Sequence, residues 1–164
     1  RVSIYLHPGK NFLILTEAES LETYQKLKED LTLSTYAYHI LELVDKLTAE
    51  NQENRTLYQH LVEILNRLSV NPRQILIRAF EIKTLSNLGF LSFKSPGVNV
   101  INLPGGLASH LGKLPENLER MSWDEIEKLE INQKQALELE RVLRYHIEKI
   151  LETSLKSRQL LKKI

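Results

Sequence analysis

The stretch NQKQALELERVLRYHIEKILET, residues 132–153, decides the fold class because its apolar positions repeat with a helical period. These positions fall mostly on one side of a helix: Ala136, Leu139, Val142, Leu143, Ile147, Ile150 and Leu151. A repeat near 3.6 residues buries one helix face against a core and leaves the other in solvent. The stretch therefore predicts one long amphipathic helix that begins at Asn132 and ends near residue 153.

Similar patterns predict three helices in the first half of the chain. Thr16 with Glu19 three residues later matches a capping box, which predicts a helix from residue 16 to about residue 30. Apolar residues at helical spacing predict a second helix over about 34–47 and a third over about 57–68. These segments already favour a mainly α fold.

Capping residues mark two further helices. Asn71 as N-cap and Pro72 at the first helical position predict a helix over about 72–88, which Gly89 can end in a left-handed conformation. Ser122 and Glu125 form another capping box and predict a short helix to about residue 130. Residues 157–164 fit a last short helix. The expected fold is mainly α, with about six to seven helices.

Two segments do not fit a helix. Residues 2–6 alternate apolar and polar side chains, Pro8 and Gly9 favour a turn, and residues 12–15 are apolar, so a β-hairpin is predicted over about 1–15. Residues 89–115 contain five of the six glycines and three of the five prolines. We expect a short irregular loop or β insertion over about 91–115, with a short strand near 98–101.

Composition narrows the class of protein. The net charge of +1 does not by itself indicate a polyanion partner, and the absence of cysteine excludes disulfides and thiolate metal sites. No run of 18 apolar residues is present, so no membrane span is expected. The chain begins at Arg1 within an apolar alternation, without methionine or a signal-peptide pattern, which indicates a truncated or processed start.

The charge is unevenly distributed. Residues 116–140 carry eight acids and three bases, whereas residues 141–164 carry seven bases and two acids. Cations neutralise phosphates and an aromatic ring such as Tyr145 can stack on a base, so the C-terminal bases are candidate nucleic-acid ligands. A solvated helix face, or bases that complement a helix dipole, would give a similar pattern. The candidates are Arg141, Arg144, Lys149, Lys156, Arg158, Lys162 and Lys163.

The predicted fourth helix has a second candidate site, because three cations lie near an aromatic residue. The cations are Arg73, Arg78 and Lys83, and the aromatic residue is Phe80. Positive charge beside an apolar surface suits an acidic peptide that ends in a hydrophobic residue. The alternative is structural: Phe80 and Leu85 would lie in the core, and Arg78 would pair internally with an acid such as Glu42 or Asp45.

Catalytic and metal-binding patterns are not found in the sequence. The five histidines never fall three or four residues apart, so a metal site on one helix has no support. Pro104-Gly105-Gly106 lacks the lysine and hydroxyl of a phosphate-binding loop and favours a turn. No nucleophile and base can be paired. We therefore expect a protein that is not an enzyme and holds no cofactor or metal.

Several of these segments together resemble the RecO family of bacterial recombination mediators. The resemblance lies in residues 78–83 continuing to Leu88-Gly89-Phe90, in residues 143–146 and in residues 155–158. The blocks at residues 15–19, 36–38 and 42–45 agree with it. It implies that residues 1–15 are the last hairpin of a mostly absent N-terminal OB-fold, and that residues 16–164 form the helical domain of the family.

The resemblance also implies a function. RecO-like proteins act in DNA repair and recombination after DNA damage: they bind and anneal single-stranded DNA, engage the C-terminal tail of single-stranded DNA-binding protein, associate with RecR, and help RecA load onto the strand. Such a protein is expected in the bacterial cytoplasm, associated with the nucleoid. The competing hypothesis is a non-catalytic helical adaptor that binds proteins and makes no direct contact with DNA.

One part of the family pattern is missing. Relatives carry two Cys-x-x-Cys pairs after the fourth helix, and these would hold one zinc ion. Residues 93–97 and 105–107 resemble remnants of that hairpin, so we expect a degenerate zinc finger at about 91–115 that has lost its metal. The alternative is that a piece of the natural chain is absent from this sequence, which metal analysis of the full-length protein would decide.

Overall fold

The computed structural model describes residues 1–50, 52–91, 111–152 and residue 155. Within these ranges a two-stranded antiparallel hairpin precedes seven helices, so the predicted mainly α class is confirmed. The elements are β1 (Val2–Pro8), β2 (Leu13–Ser20), α1 (Gln25–Glu29), α2 (Leu31–Leu47), α3 (Arg55–Val70), α4 (Gln74–Asn87), α5 (Leu114–Arg120), α6 (Trp123–Lys128) and α7 (Gln133–Leu151). The strand predicted near 98–101 and the helix predicted over 157–164 lie outside the described residues. No helix in the described ranges has the length and apolar character needed to cross a membrane.

Helix α4 lies at the centre of the helical domain. It packs against α2, α3, α5, α6 and α7, and nearly all of its residues from Ile75 to Leu85 are buried. A helix that is covered on every side needs apolar residues on every side, and α4 supplies them. Phe80 and Leu85 are fully buried, which confirms the structural alternative for these two residues.

Side-chain caps fix where several helices begin. The Asp30 carboxylate accepts a hydrogen bond from the Leu33 amide at 2.8 Å, so α2 starts one turn earlier than predicted. The capping box of Ser122 and Glu125 opens α6, and Asn132 with Gln135 opens α7. These caps satisfy amide donors that a helix cannot pair internally, and they confirm both predicted starts.

The predicted helix from Thr16 to about residue 30 is wrong. Strand β2 continues to Ser20, and Glu19 pairs with Ser3 of β1. Thr16 occupies a bulge opposite Tyr5 and Leu6, and its hydroxyl donates to the Tyr5 carbonyl at 3.1 Å instead of capping a helix. Pairing between strands thus overrides the local signal, and α1 is a short helix that begins only at Gln25. The assignment of the hairpin to an OB-fold stays a prediction.

The predicted cap at Asn71 is also wrong. The Asn71 amide donates to the Arg67 carbonyl at 2.8 Å, so this residue ends α3. Its side-chain NH2 group donates to Glu127 at 3.1 Å, and α4 begins only at Gln74, with Arg73 at the N-cap and no side-chain cap. The other end of α4 is as predicted, because Gly89 adopts a φ of +80° just past the helix.

Candidate nucleic-acid interface

Helix α7 carries the described part of the predicted basic surface. Its inner face is buried through Leu139, Val142, Leu143 and Ile147, which belong to the main core. This burial fixes the rotation of the helix, so the residues on the opposite side must face solvent. The His146 ring lies 3.0 Å from the Phe90 carbonyl and adds a polar contact next to the end of α4.

Four residues on the outer side of α7 are exposed and spaced four positions apart: Leu137, Arg141, Tyr145 and Lys149. We call this set the α7 outer stripe. Residues four apart are neighbours on a helix surface, so the two cations flank the Tyr145 ring, which is 40% exposed. Arg144 is half-buried beside the stripe. The arrangement offers positive charge on either side of an aromatic face.

The cations of α7 have no ion-pair partner within the described ranges. Among the described residues, no carboxylate lies within ion-pair distance of Arg141, Arg144 or Lys149. A phosphate would therefore not have to displace an internal partner in the described part of the chain. The other four predicted bases, Lys156, Arg158, Lys162 and Lys163, lie outside the described residues.

The acid-rich segment before α7 uses much of its charge in packing. Arg67 of α3 binds Asp124 and Glu127 of α6, and it binds Glu63 at 2.8 Å on its own helix. Burial opposes the charged form of Arg67, but the hydrogen bonds to the three carboxylates outweigh it and raise its pKa. These acids therefore hold α6 against α3 and do not neutralise the α7 outer stripe.

The predicted peptide site lies on or beside α4, and its side chains make interior contacts. Arg73 donates to the carbonyl oxygens of Glu127 and Leu129, the latter at 2.8 Å. Phe80 is fully buried. These two residues are not brought together as a surface pocket, because one binds the end of α6 and the other fills the core.

Arg78 and a buried carboxylate form a charged cluster with a histidine of α2. The Arg78 guanidinium donates to both Glu81 oxygens at 2.8 Å, and the His39 ring lies 2.7 Å from the same carboxylate. The internal pairing predicted for Arg78 is confirmed, with Glu81 of the same helix as its partner. Burial raises the pKa of the Glu81 carboxyl, but the Arg78 charge and the His39 hydrogen bond outweigh it, so the pKa lies below its usual range.

Lys83, the fourth residue of the predicted peptide site, is also buried. Its ammonium donates to the carbonyls of Glu119 and Met121 at 2.7 and 2.8 Å and lies 5.7 Å from the centre of the Trp123 ring. Burial lowers its pKa, and Glu119 opposes that shift. Lys83 therefore binds the carbonyls at the end of α5. Peptide binding at this site stays a prediction.

Sequence reasoning missed the role of His39. The i, i+3 spacing of Arg78 and Glu81 was a signal for a local ion pair that the sequence analysis did not use, and nothing in the sequence linked either residue to a histidine about forty positions earlier. Within the described ranges, no group of three or more histidine, aspartate or glutamate residues is arranged to hold a metal ion.

Comparison with known proteins identifies relatives of this chain. A family model described as "Recombination protein O C terminal" matches residues 28–91, which run from α1 to the end of α4. "DNA repair protein RecO" of Moorella thermoacetica is 28% identical over 191 aligned positions that cover 100% of this chain and 72% of the relative. The protein of the same name from Pelotomaculum thermopropionicum is 33% identical over 55% of this chain and 35% of its own length. That of Symbiobacterium thermophilum is 37% identical, with coverages of 54% and 36%.

Proposed function

The chain belongs to the RecO family of DNA repair proteins, and from this membership we propose that it is a recombination mediator that binds and anneals single-stranded DNA. We further propose that the protein helps RecA load onto strands coated with single-stranded DNA-binding protein. The single observation that carries the DNA contact is the α7 outer stripe, where Arg141 and Lys149 flank an exposed tyrosine.

The stripe suits a flexible polyanion that is bound without regard to sequence. Exposed cations neutralise phosphates and release counterions, and an aromatic face accepts any base. The buried inner face of α7 holds the helix rigid, so the cations keep their spacing along the strand. Neutralised phosphates also repel a second strand less, which would favour annealing. None of these steps needs a catalytic group, a nucleotide or a cofactor.

The proposed partners extend beyond DNA. They are the acidic C-terminal tail of single-stranded DNA-binding protein, RecR and, through strand loading, RecA, in the bacterial cytoplasm at the nucleoid. The tail site predicted from the sequence comprises Arg73, Arg78, Phe80 and Lys83, and because Phe80 is fully buried, binding there would require α4 side chains to leave their interior contacts. A titration of labelled tail peptide against wild type and Arg73→Gln tests this placement, with circular dichroism to establish that the variant is folded. Equal affinity for both proteins would move the tail to another surface.

The DNA contact is tested by charge reversal on α7. We expect Arg141→Glu with Lys149→Glu to weaken binding of a labelled oligo-dT strand and to slow annealing of complementary oligonucleotides. If the wild-type protein makes three phosphate contacts, raising the salt from 50 to 200 mM should lower its affinity for the strand roughly 20-fold. Reversing Lys156 and Arg158 in a second variant asks whether the strand continues toward the C-terminus. Unchanged, salt-insensitive binding in both variants would remove the proposed contact.

The competing proposal is a helical adaptor that binds proteins alone. Leu137 of the stripe is 61% exposed, which is the observation that favours it. An adaptor would retain little single-stranded DNA at either low or moderate salt, whereas a DNA-binding protein would lose a large retained fraction as the salt rises. The salt series on the wild-type chain therefore separates the two functions.

A further inference from the structure

A cleft of about 380 Å³ lies between the end of the hairpin and helices α1, α2 and α3. Its apolar lining includes Leu27 and Leu41, and its polar lining includes Arg1 and Lys28, with Tyr24 and Tyr38 among the aromatic residues. A volume of about 300–1,000 Å³ is usual for sites that bind small organic groups. The cleft is separate from the α7 outer stripe, since no residue of α7 lines it.

The cleft has an exposed aromatic face. Tyr38 is 63% exposed and Leu41 is 44% exposed, and their spacing places both on one side of α2. The residues between them, His39 and Ile40, are buried in the helical domain. A tyrosine ring that borders an apolar cleft presents a flat surface on which another ring can stack.

Tyr24 is held in an unusual backbone conformation at the same cleft. Its φ of 51° lies in the left-handed region, which bulky residues rarely adopt. The Glu22 carboxylate accepts a hydrogen bond from the Tyr24 amide at 3.0 Å and helps to keep it there. Such strain is found preferentially at binding sites, where it fixes the position of a functional side chain.

The charge at the cleft favours an anion next to a flat ring. Arg1 and Lys28 contribute two cations, whereas Glu22 is the single acid that lines it, and one oxygen of that acid is bound to the Tyr24 amide. An apolar cleft lined by an aromatic ring and two cations suits one nucleotide of a single strand. The base can stack on the ring, and the phosphates on either side can bind the cations.

We propose that this cleft binds one nucleobase of a single-stranded nucleic acid, stacked on Tyr38, with Lys28 and Arg1 at the flanking phosphates. The proposal rests on the single-strand function proposed above for the identity of the ligand. It adds a base contact on a surface separate from α7, where the proposed contacts are phosphates at Arg141 and Lys149 and a base at Tyr145.

The test compares an oligo-dT 12-mer with an abasic 12-mer of equal charge, by fluorescence anisotropy at fixed salt. We expect wild type to bind oligo-dT roughly five- to tenfold more tightly than the abasic strand, at the lower end of what stacking on an aromatic residue contributes per base. Tyr38→Ala should reduce this preference, and Tyr38→Phe should retain it. Tyr5→Ala is the matched control, because Tyr5 is a similarly exposed tyrosine outside the cleft.

Each other outcome has a distinct meaning. Equal wild-type affinity for the two strands would overturn the cleft proposal and leave only the phosphate contacts of α7 standing. Loss of the preference in Tyr145→Ala but not in Tyr38→Ala would move the base to α7 and likewise overturn it. Binding of an acidic peptide that is lost in Tyr38→Ala, with no base preference in wild type, would assign the cleft to a protein. Absence of binding to either strand would overturn the proposed function as well.

Discussion

Helices α4 and α7 both combine arginine, lysine, an aromatic residue and leucine, yet the structure uses these residues in opposite ways. In α4 the charged side chains turn inward: Arg78 binds Glu81, and Lys83 binds two backbone carbonyls. In α7, Arg141 and Lys149 face solvent, with no ion pair to any described residue. Composition alone therefore does not mark a binding surface; what decides is whether the neighbouring elements already satisfy the charge.

The strongest test of this contrast removes the buried acid of α4. Glu81→Gln leaves the Arg78 guanidinium, whose side chain is 13% exposed, without its carboxylate partner. We expect the free energy of unfolding to fall by about 3–5 kcal/mol, as when one member of a buried pair is deleted. Urea denaturation followed by Trp123 fluorescence measures it. Glu17→Gln, on the exposed hairpin, is the control, and a loss no larger than in that control would show that the cluster is not a structural element.

A smaller loss in the free energy of unfolding is expected from Lys83→Met. The change removes two charge-assisted hydrogen bonds and leaves the Glu119 and Met121 carbonyls without this donor. We expect a loss of about 2–3 kcal/mol, which the same denaturation experiment measures. Lys134→Met, at an exposed position of α7, should change stability little. Equal stability of both variants would mean that Lys83 is held less firmly than its geometry indicates.

Because of the buried cluster of Arg78, Glu81 and His39, we also expect the stability of the protein to depend on pH. The pKa of Glu81 is lower in the folded protein than its ordinary value of 4.5. The folded state therefore binds fewer protons, so this contribution is present above about pH 4.5 and is lost as the pH falls through the folded pKa. Wild type should lose stability below pH 4.5 more steeply than Glu81→Gln. Parallel pH profiles of the two proteins would contradict this account.

The smallest effect on stability is expected on α7. Arg141→Gln with Lys149→Gln removes two exposed charges that hold no described partner, so the free energy of unfolding should change by no more than about 0.5 kcal/mol. Thermal denaturation of wild type and the double variant is the measurement. A loss of several kcal/mol would mean that the stripe supports the fold, which would end the contrast with α4.

The sequence predicted those parts of the fold that have a local cause. Periodicity located α2, α3 and α7, and the capping residues Ser122 and Asn132 marked two helix starts correctly. The helix start predicted at Thr16 is wrong because the Thr16 hydroxyl donates to the Tyr5 carbonyl on the opposite strand. This pairing joins two separate segments and cannot be read from the residues next to Thr16. The His39 contact with Glu81 and the cleft beside Tyr38 were out of reach for the same reason, since residues far apart in the chain create them.

The contact between α7 and DNA is tested most directly by the salt dependence of binding to a single strand. We expect Arg141→Gln with Lys149→Gln to lower the slope of log Kd against log salt by about 1.4, because each lost phosphate contact removes about 0.7. The exposed control pair Lys113→Gln with Lys128→Gln should keep the wild-type slope. Three identical slopes would contradict the claim that the outer face of α7 holds the strand.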